Sequence, residues 1–471
     1  MNAGRNIAGM LAVALTCAAT AFAGPPAKDI KVYELTVHPA AAPVPALKHA
    51  LMPTVLEKTP GNAMPLYSMA MAMVAEKDLE AIHEKVDKWL SETPPESLPV
   101  DEIRDALPQR VFVQVKLAAS REQCQWDLPI REQGYSMFLP QLGLYRRTAR
   151  MLALRARVAI VQGRHDDAIA DLKTGFAMAR HVAAGPTLIN DLVAVAVADI
   201  MLIPVNEWVQ RPDAPNLYWA LTMLPCPMVD ILDGLEYEAQ TPYVLIPSMA
   251  ELRRGEKTLA QYEQAITEMV GLTGWGGDER RNKLVSVGLA LKMYPEAKKY
   301  LRSQGFTQEQ VQAMSVPQAV MIHMMANFEY LRDEMFKWFY VPYWQAHEGF
   351  RAAEAMLQRE KTAGRGFPAT ALLPSLSRAS LMVTRLDRRI AALRCVEAIR
   401  LYAAAHEGKL PASLDDITEV PIPTSPVTGQ PFGYSVEGNT ATLEAPAMEG
   451  QEARFFDRYE ITIQQTAEVQ E

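Results

Sequence analysis

Three ionisable residues that could carry out chemistry fall in one predicted helix of this chain: His323, Glu329 and Asp333. Glu329 and Asp333 are four positions apart, so they share a helix face. Two carboxylates beside an imidazole can bind a metal ion or transfer protons. The same acids can instead form a solvated stripe that pairs with Arg332 and Lys337. We therefore take the three as candidate catalytic residues, and we assign no metal and no cofactor to them.

A binding surface is the second kind of site that the sequence suggests. Trp338 and Trp344 belong to a dense aromatic cluster that could stack on sugars or grip a partner, although such clusters more often form a core. Arg378, Arg385 and Arg389 lie along a long C-terminal helix, where their charge would suit an acidic partner or an anionic membrane surface. A solvated arginine face is the simpler alternative. These five residues make up the predicted binding surface.

No motif in the chain indicates a known catalytic chemistry. The sequence contains no G-x-S-x-G, no H-E-x-x-H, no phosphate-binding loop and no dinucleotide-binding G-x-G-x-x-G after a strand. Cys124, Cys226 and Cys395 are widely spaced and form no C-x-x-C pair, which argues against a thiolate zinc site. A cysteine nucleophile needs a histidine nearby in space, so a small buried thiol is the expected role of Cys124.

The composition is that of a globular protein rather than a nucleic-acid-binding one. The chain carries 47 basic and 55 acidic residues, for a formal net charge of −8, and a nucleic-acid site would need a clustered basic surface. The most apolar internal segment, Leu188–Val205, contains Asn190, Asp191 and Asp199. Charges at a bilayer centre are costly, so we expect this segment to be a buried helix and not a membrane span.

The first residues predict export from the cell. Arg5 precedes a short apolar run over residues 9–19, and Ala21-Phe22-Ala23 then provides an A-x-A cleavage site. We assign residues 1–23 to a signal peptide and place the mature protein in the periplasm or cell envelope. Residues 24–63 form an extended segment rich in proline and alanine, with a strand at Lys31–Val37.

The pattern from residue 64 to residue 365 predicts an α-helical domain, whose clearest unit is a helical hairpin at residues 149–182. Apolar residues recur at intervals of three and four on both sides of a turn that contains Gly163. Gly163 and Ala168 match a tetratricopeptide-type hairpin, which this unit resembles. A divergent helical array stays open as an interpretation, because no repeat of about 34 residues recurs elsewhere.

The pattern of apolar residues differs in residues 369–471, where it predicts a long helix followed by a small antiparallel sheet. The helix runs from Leu372 to about His406, and Gly408 ends it. A Lys409-Leu410-Pro411 turn and the segment Ser425–Tyr434 follow. This order resembles type IV pilin-like and type II secretion pseudopilin proteins over residues 370–445, although Ser425 stands where those proteins have aspartate. The expected fold is therefore mainly α, with many helices, tetratricopeptide-like hairpins, and a small C-terminal α+β module of pilin type.

The whole chain also resembles a group of uncharacterised exported proteins of planctomycete-type bacteria. The segments that carry this resemblance are Thr59–Ala63, Arg121–Asp127, Gly185–Asn190, Ala214–Leu221, Met335–Phe339 and Leu386–Ile390. The group implies an exported protein but no particular activity.

Together these patterns favour a non-catalytic envelope protein that binds or scaffolds another protein. The expected partner is a protein and not a nucleic acid. Contact with a membrane surface stays open as an alternative, but no membrane span is expected. One alternative is an exported hydrolase or lyase that uses the acids and the histidine. The other is an accessory component of a secretion or pilus-like system.

Overall fold

A computed structural model describes residues 30–74, 80–129, 139, 141–252, 257–273, 278–363, 376–444 and 456–464 of the 471-residue chain. The predicted signal peptide, residues 1–23, lies outside the described residues, as do residues 24–29 of the extended segment that follows it.

The described part of the chain is mainly helical, which confirms the predicted fold class at that level. The helices are α1 (Met64–Val74), α2 (Glu80–Ser91), α3 (Val100–Ala106), α4 (Gln109–Ala119), α5 (Gln141–Val161), α6 (His165–Ala183), α7 (Leu188–Trp208), α8 (Tyr218–Thr222), α9 (Leu232–Leu245), α10 (Pro247–Leu252), α11 (Leu259–Thr273), α12 (Glu279–Ser303), α13 (Gln308–Ala313), α14 (Val316–Phe336), α15 (Tyr343–Thr362) and α16 (Ser377–Ala405). The strands are β1 (Lys31–Val37), β2 (Thr59–Asn62), β3 (Arg121–Gln123), β4 (Gly433–Glu437), β5 (Thr440–Glu444) and β6 (Asp457–Ile463).

The chain folds into two compact units. The helical unit consists of the described residues between 127 and 138 and between 235 and 378. The sheet unit consists of those between 22 and 126, between 139 and 234, and between 379 and 471. Residues 64–365, which the sequence groups as one helical domain, therefore contribute to both units.

The four-stranded sheet has the order β1-β6-β5-β4. The strands β4, β5 and β6 are antiparallel neighbours, but β1 pairs in parallel with β6, from Lys31 beside Asp457 to Val37 beside Ile463. The predicted antiparallel sheet is thus corrected to a mixed one, to which the N-terminal segment supplies an edge strand. Leu35 of β1 is buried together with Val37, so this strand extends the apolar face of the sheet. Periodicity predicts a strand but does not identify its partner.

The long helix α16 packs across the buried face of this sheet. Its Cys395, Val396 and Ile399 share one core with Leu443 and Ile461 of the sheet. The helix was predicted from Leu372 to His406, and its described part ends one residue earlier, at Ala405. Gly408 follows with a φ of +74°, a conformation that favours glycine at the end of a helix.

A buried ion pair on α16 joins three distant parts of the sheet unit. The side chains of Glu397 and Arg400 are fully buried, and their charged groups are 2.9 Å apart. The Arg400 guanidinium also donates from Nε to the carbonyl of His38 and from Nη2 to the carbonyl of Ala214, each at 2.9 Å. Asn216 donates to the Glu397 carbonyl at 2.9 Å. The pair therefore attaches α16 both to the residue that follows β1 and to the loop that precedes α8.

The helices α5, α6 and α7 pack against one another in the sheet unit. The turn between α5 and α6 contains Gly163, whose φ of +69° suits glycine. Farther along α6, a Cβ at Gly175 would clash with the Met201 sulfur, which shows that α6 and α7 approach closely at this glycine. Within the described residues, α7 is also the one helix long and apolar enough to cross a membrane by length and composition. Because 72% of its apolar window is buried, it has the character of a core helix.

In the helical unit, α12 packs against α11 and α14. One small core is formed by Leu301 of α12, Val311 of α13 and Ala319 of α14.

We expect Arg400→Met to lower the free energy of unfolding by about 3–5 kcal/mol, because it leaves the Glu397 carboxylate buried without its cation. The quantity to measure is the urea denaturation midpoint of the purified chain. Arg378→Met on the same helix is the control, since Arg378 is exposed and should tolerate the change within about 0.5 kcal/mol. Equal stabilities of the two variants would show that the buried pair does not hold the sheet unit together.

Candidate functional site

An open groove lies between α2 and α5, and a buried arginine positions its walls. Arg157 of α5 donates from its guanidinium to the carbonyls of Trp89, Leu90 and Thr93, the last at 2.8 Å. These carbonyls lie at or just beyond the C-terminal end of α2, where backbone acceptors have no partner within the helix. The Arg157 charge is balanced by Glu207, 2.6 Å from Nε. The guanidinium thus caps α2 and holds it against α5.

The groove has a volume of about 250 Å³ and is lined by charged side chains from both helices. The lining residues are Glu80, His83, Glu84, Val86, Asp87, Arg147 and Arg150. Three carboxylates on α2 therefore face two guanidinium groups on α5. Only one of these opposed pairs is in contact, Arg150 with Asp87 at 3.1 Å, and both of its side chains are partly exposed.

His83 is the buried polar group of this groove. Its ring hydrogen-bonds to the backbone of Val74, and burial, assisted by the nearby Arg147, lowers the pKa of the imidazole below its ordinary value. The ring is therefore neutral at neutral pH, and its Nε2 is buried with no hydrogen-bond partner among the described residues. Because this nitrogen is inaccessible to solvent, His83 belongs to the packing beneath the groove, and the charged side chains around it form the accessible lining.

The three arginines of α16 that were predicted to form a binding surface lie in different environments. Arg378 is exposed and Arg385 is half-buried, but Arg389 is buried and forms an ion pair with Asp199 of α7. Although burial opposes its charge, the Asp199 carboxylate raises the pKa of Arg389. The prediction that Arg389 belongs to a surface is therefore wrong, because the residue faces the sheet and α7 rather than solvent.

A second arginine of α16, Arg388, is buried beside Arg389. It lies 3.0 Å from Asp457 at the start of β6, and both side chains are almost fully buried. The rings of Tyr33 and Tyr459 stack at 4.9 Å, and the Arg389 guanidinium lies over Tyr33. Two arginines are thus neutralised by acids from other elements, which gives this cluster a structural role. The alternative of a solvated arginine face does not apply to these two residues.

The three candidate catalytic residues have separate neighbours on α14. His323 stacks at an angle on Tyr300, and burial lowers the pKa of its imidazole. Glu329 accepts a hydrogen bond of 2.7 Å from the Tyr243 hydroxyl. Asp333 pairs with the adjacent Arg332 at 2.8 Å and is exposed.

Each acid of this set therefore has a partner other than the histidine. Among the described residues, no group of three or more histidine, cysteine, aspartate or glutamate side chains is arranged to hold a metal ion. The role of His323, Glu329 and Asp333 in catalysis stays a prediction.

The two tryptophans of the predicted surface differ in exposure. Trp338 packs against Gly349 of α15, so closely that a Cβ at Gly349 would lie 2.1 Å from the indole ring. Lys337 lies over the same indole at 5.3 Å. Trp344 is 42% exposed and remains accessible to a partner. Trp338 is thus part of the packing between α14 and α15, while Trp344 is compatible with a binding surface.

A buried histidine outside the predicted sites, His181, lies beside Tyr67 and Trp126. Nδ1 of His181 is 3.0 Å from the Tyr67 hydroxyl, and the His181 carbonyl accepts a hydrogen bond of 2.9 Å from the Trp126 indole. Burial raises the pKa of the Cys124 thiol to about 12 and lowers that of His181 to about 4. A neutral thiol and a neutral imidazole do not make an activated nucleophile. No signal in the sequence could have identified His181, because its neighbours come from distant segments.

We expect Cys124 and Cys395 to resist alkylation in the folded protein, while the exposed Cys226 reacts. All three are free cysteines, and burial raises the pKa of both Cys124 and Cys395 to about 12. Mass spectrometry after iodoacetamide treatment at pH about 8 should show labelling of the two buried thiols at least about tenfold slower than that of Cys226. Labelling of Cys124 as fast as Cys226 would indicate that Cys124 is a reactive thiol.

We also expect Asp387 of α16 to make stability depend on pH. Burial raises the pKa of this carboxyl from 3.8 to about 7, while its hydrogen bond of 2.9 Å from the Met228 amide acts in the opposite direction. Between these two pKa values the folded state keeps a proton that the unfolded state has lost, so stability falls as pH rises from about 4 to about 7. Asp387→Asn keeps an acceptor for the amide and should flatten this dependence in urea denaturation. Asp101→Asn, at an exposed site, is the control and should leave the dependence unchanged.

No protein-family model matches this chain, and no curated protein and no solved structure is significantly similar to it.

Proposed function

We propose that this chain is an exported, non-catalytic protein of the cell envelope that binds another protein through the groove between α2 and α5. The observation that carries the proposal is the open groove itself, in which carboxylates of α2 and guanidinium groups of α5 line opposite sides. The signal-peptide pattern and the resemblance to exported bacterial proteins support the compartment.

The groove suits a polypeptide segment better than a small apolar ligand. Its lining is charged and its only buried apolar side chain is Val86, whereas small-molecule pockets are mostly apolar. A segment with a basic side chain could approach Glu80 and Glu84 of α2, and an acidic side chain on the same segment could approach Arg147. Such opposed charges favour specificity and correct orientation of a partner.

The finer parts of the predicted fold belong to the same proposal. The hairpin of α5 and α6, with Gly163 in its turn, supports a tetratricopeptide-like scaffold, a class that commonly offers concave binding surfaces. The packing of α16 on the sheet supports a pilin-like module at residues 370–445, and through it a role as an accessory component of a secretion system. The hydrolase or lyase alternative has less support, since His323, Glu329 and Asp333 contact different neighbours.

We expect Glu84→Lys combined with Arg147→Glu to abolish partner capture. Both side chains are exposed, so the charge reversals should leave the fold intact while they repel the partner at two points. The measurement is affinity purification of the tagged chain from its native envelope after mild cross-linking, read by quantitative mass spectrometry. Recovery of the stoichiometric partner should fall at least about tenfold, which corresponds to about 1.4 kcal/mol.

The matched control is Glu92→Lys, an exposed charge reversal just beyond the end of α2 and outside the groove. It should capture the partner as the unchanged protein does. A partner that persists with the double variant would remove the groove from the proposal. A chain that captures no stoichiometric partner at all would count against the binding function itself.

A further inference from the structure

The helix α12 has two apolar faces, and only one of them is buried. Ala290, Met293, Ala297 and Leu301 point into the helical unit. Leu284, Val287 and Leu291 are 74%, 58% and 63% exposed. These three are spaced at i, i+3 and i+7, so they form one stripe, which lies roughly a third of a turn around the helix from the buried side.

The exposed face contains a glycine, so no side chain projects from it at that position. Gly288 lies within the stripe, and a Cβ built on it would meet no atom within 4 Å. We call Leu284, Val287, Gly288 and Leu291 the α12 stripe. Exposed apolar residues scattered singly need no explanation, but aligned ones indicate a contact surface.

Basic residues surround the α12 stripe. The helix carries seven lysine or arginine residues and two glutamates, in a chain whose net charge is −8. The basic residues are Arg280, Arg281, Lys283, Lys292, Lys298, Lys299 and Arg302. At 100° per residue, Arg280 and Arg281 continue the stripe towards the N-terminus, and Lys298, Lys299 and Arg302 continue it towards the C-terminus. Lys283 and Lys292 flank it on opposite sides, and both are exposed.

From this arrangement we propose that α12 lies on an anionic phospholipid surface, with the α12 stripe inserted among the lipid acyl chains and the surrounding lysines and arginines at the headgroup phosphates. A helix that lies in the membrane interface combines an apolar face with lysine and arginine at the polar boundary. Long basic side chains can extend along the apolar surface while their charged ends reach the phosphates.

Two other occupants fit the observations less well. A second copy of the chain would bring two strongly basic helices together, and like charges across an interface are repulsive. An acidic protein groove that takes up an amphipathic helix surrounds much of it, whereas one side of α12 is already packed inside the helical unit. A flat lipid surface needs only the one face that is exposed.

The test is vesicle flotation with the chain from Gly24, which contains every described residue. We expect it to float with phosphatidylcholine vesicles that contain a quarter of phosphatidylglycerol, and at least about tenfold less with pure phosphatidylcholine. Salt at about 0.5 M should weaken the binding, since it screens charges at the surface. Lys292→Glu should reduce binding at least about fivefold, the effect of one basic residue near an anionic surface.

The apolar contribution is tested separately from the charge. Leu284→Ser with Leu291→Ser should reduce flotation with the anionic vesicles at least about tenfold without changing the helix content. Val113→Ser with Leu117→Ser is the matched control, because these two residues are exposed apolar positions on another helix, α4. This control should float as the unchanged chain does.

Three outcomes would overturn the proposal. The first is equal flotation with neutral and anionic vesicles, and the second is equal loss in the α12 and α4 variants. The third is no flotation, together with self-association or capture of an acidic protein that the Leu284 and Leu291 substitutions abolish. Because α12 is remote in sequence from α2 and α5, partner capture by the groove is measured independently of this result.

Discussion

The buried pair of Glu397 and Arg400 is the constraint on which the sheet unit depends. The cost of removing two charges from water is offset when they pair closely and form further hydrogen bonds. Arg400 forms such bonds by donating to carbonyls that follow β1 and precede α8, in addition to the carboxylate. The position of α16 on the sheet therefore cannot change without exposing or orphaning a charge, which makes this packing specific as well as stable.

A buried arginine that donates to backbone carbonyls also occurs beside the groove. The planar guanidinium of Arg157 donates hydrogen bonds to the carbonyls at the end of α2, and Glu207 balances its charge. The structural arginines thus act as connectors between a helix and a remote backbone segment. The basic residues of α12 differ in that they lie around an exposed apolar stripe. Whether an arginine stabilises the fold or is available to a partner therefore depends on its burial, and not on how many arginines its helix carries.

Local patterns predicted much of the fold. The hairpin of α5 and α6 and the buried helix α7 follow from spacings of three and four, and the structure has them, and the strand β1, close to their predicted positions. The pairing of β1 with β6 could not be predicted, because more than four hundred residues separate the two strands. Arg389 was assigned to a surface because its partner Asp199 belongs to another helix.

The candidate site was predicted less well than the fold. His83 and Arg147 lie on different helices, and neither belongs to a motif, so only the packing that Arg157 imposes brings them to one groove. The proposed α12 stripe is visible in the sequence as a helical spacing. However, the sequence does not show which of the two apolar faces is buried.

The parallel pairing of β1 with β6 sets an order of events during biosynthesis. The first strand of the sheet unit is made early, yet the strand beside it is complete only when residue 463 has been added. Until then β1 lacks its neighbour in the sheet, because β6 is the strand it pairs with. The four-stranded sheet can therefore close only after nearly the whole chain has been made.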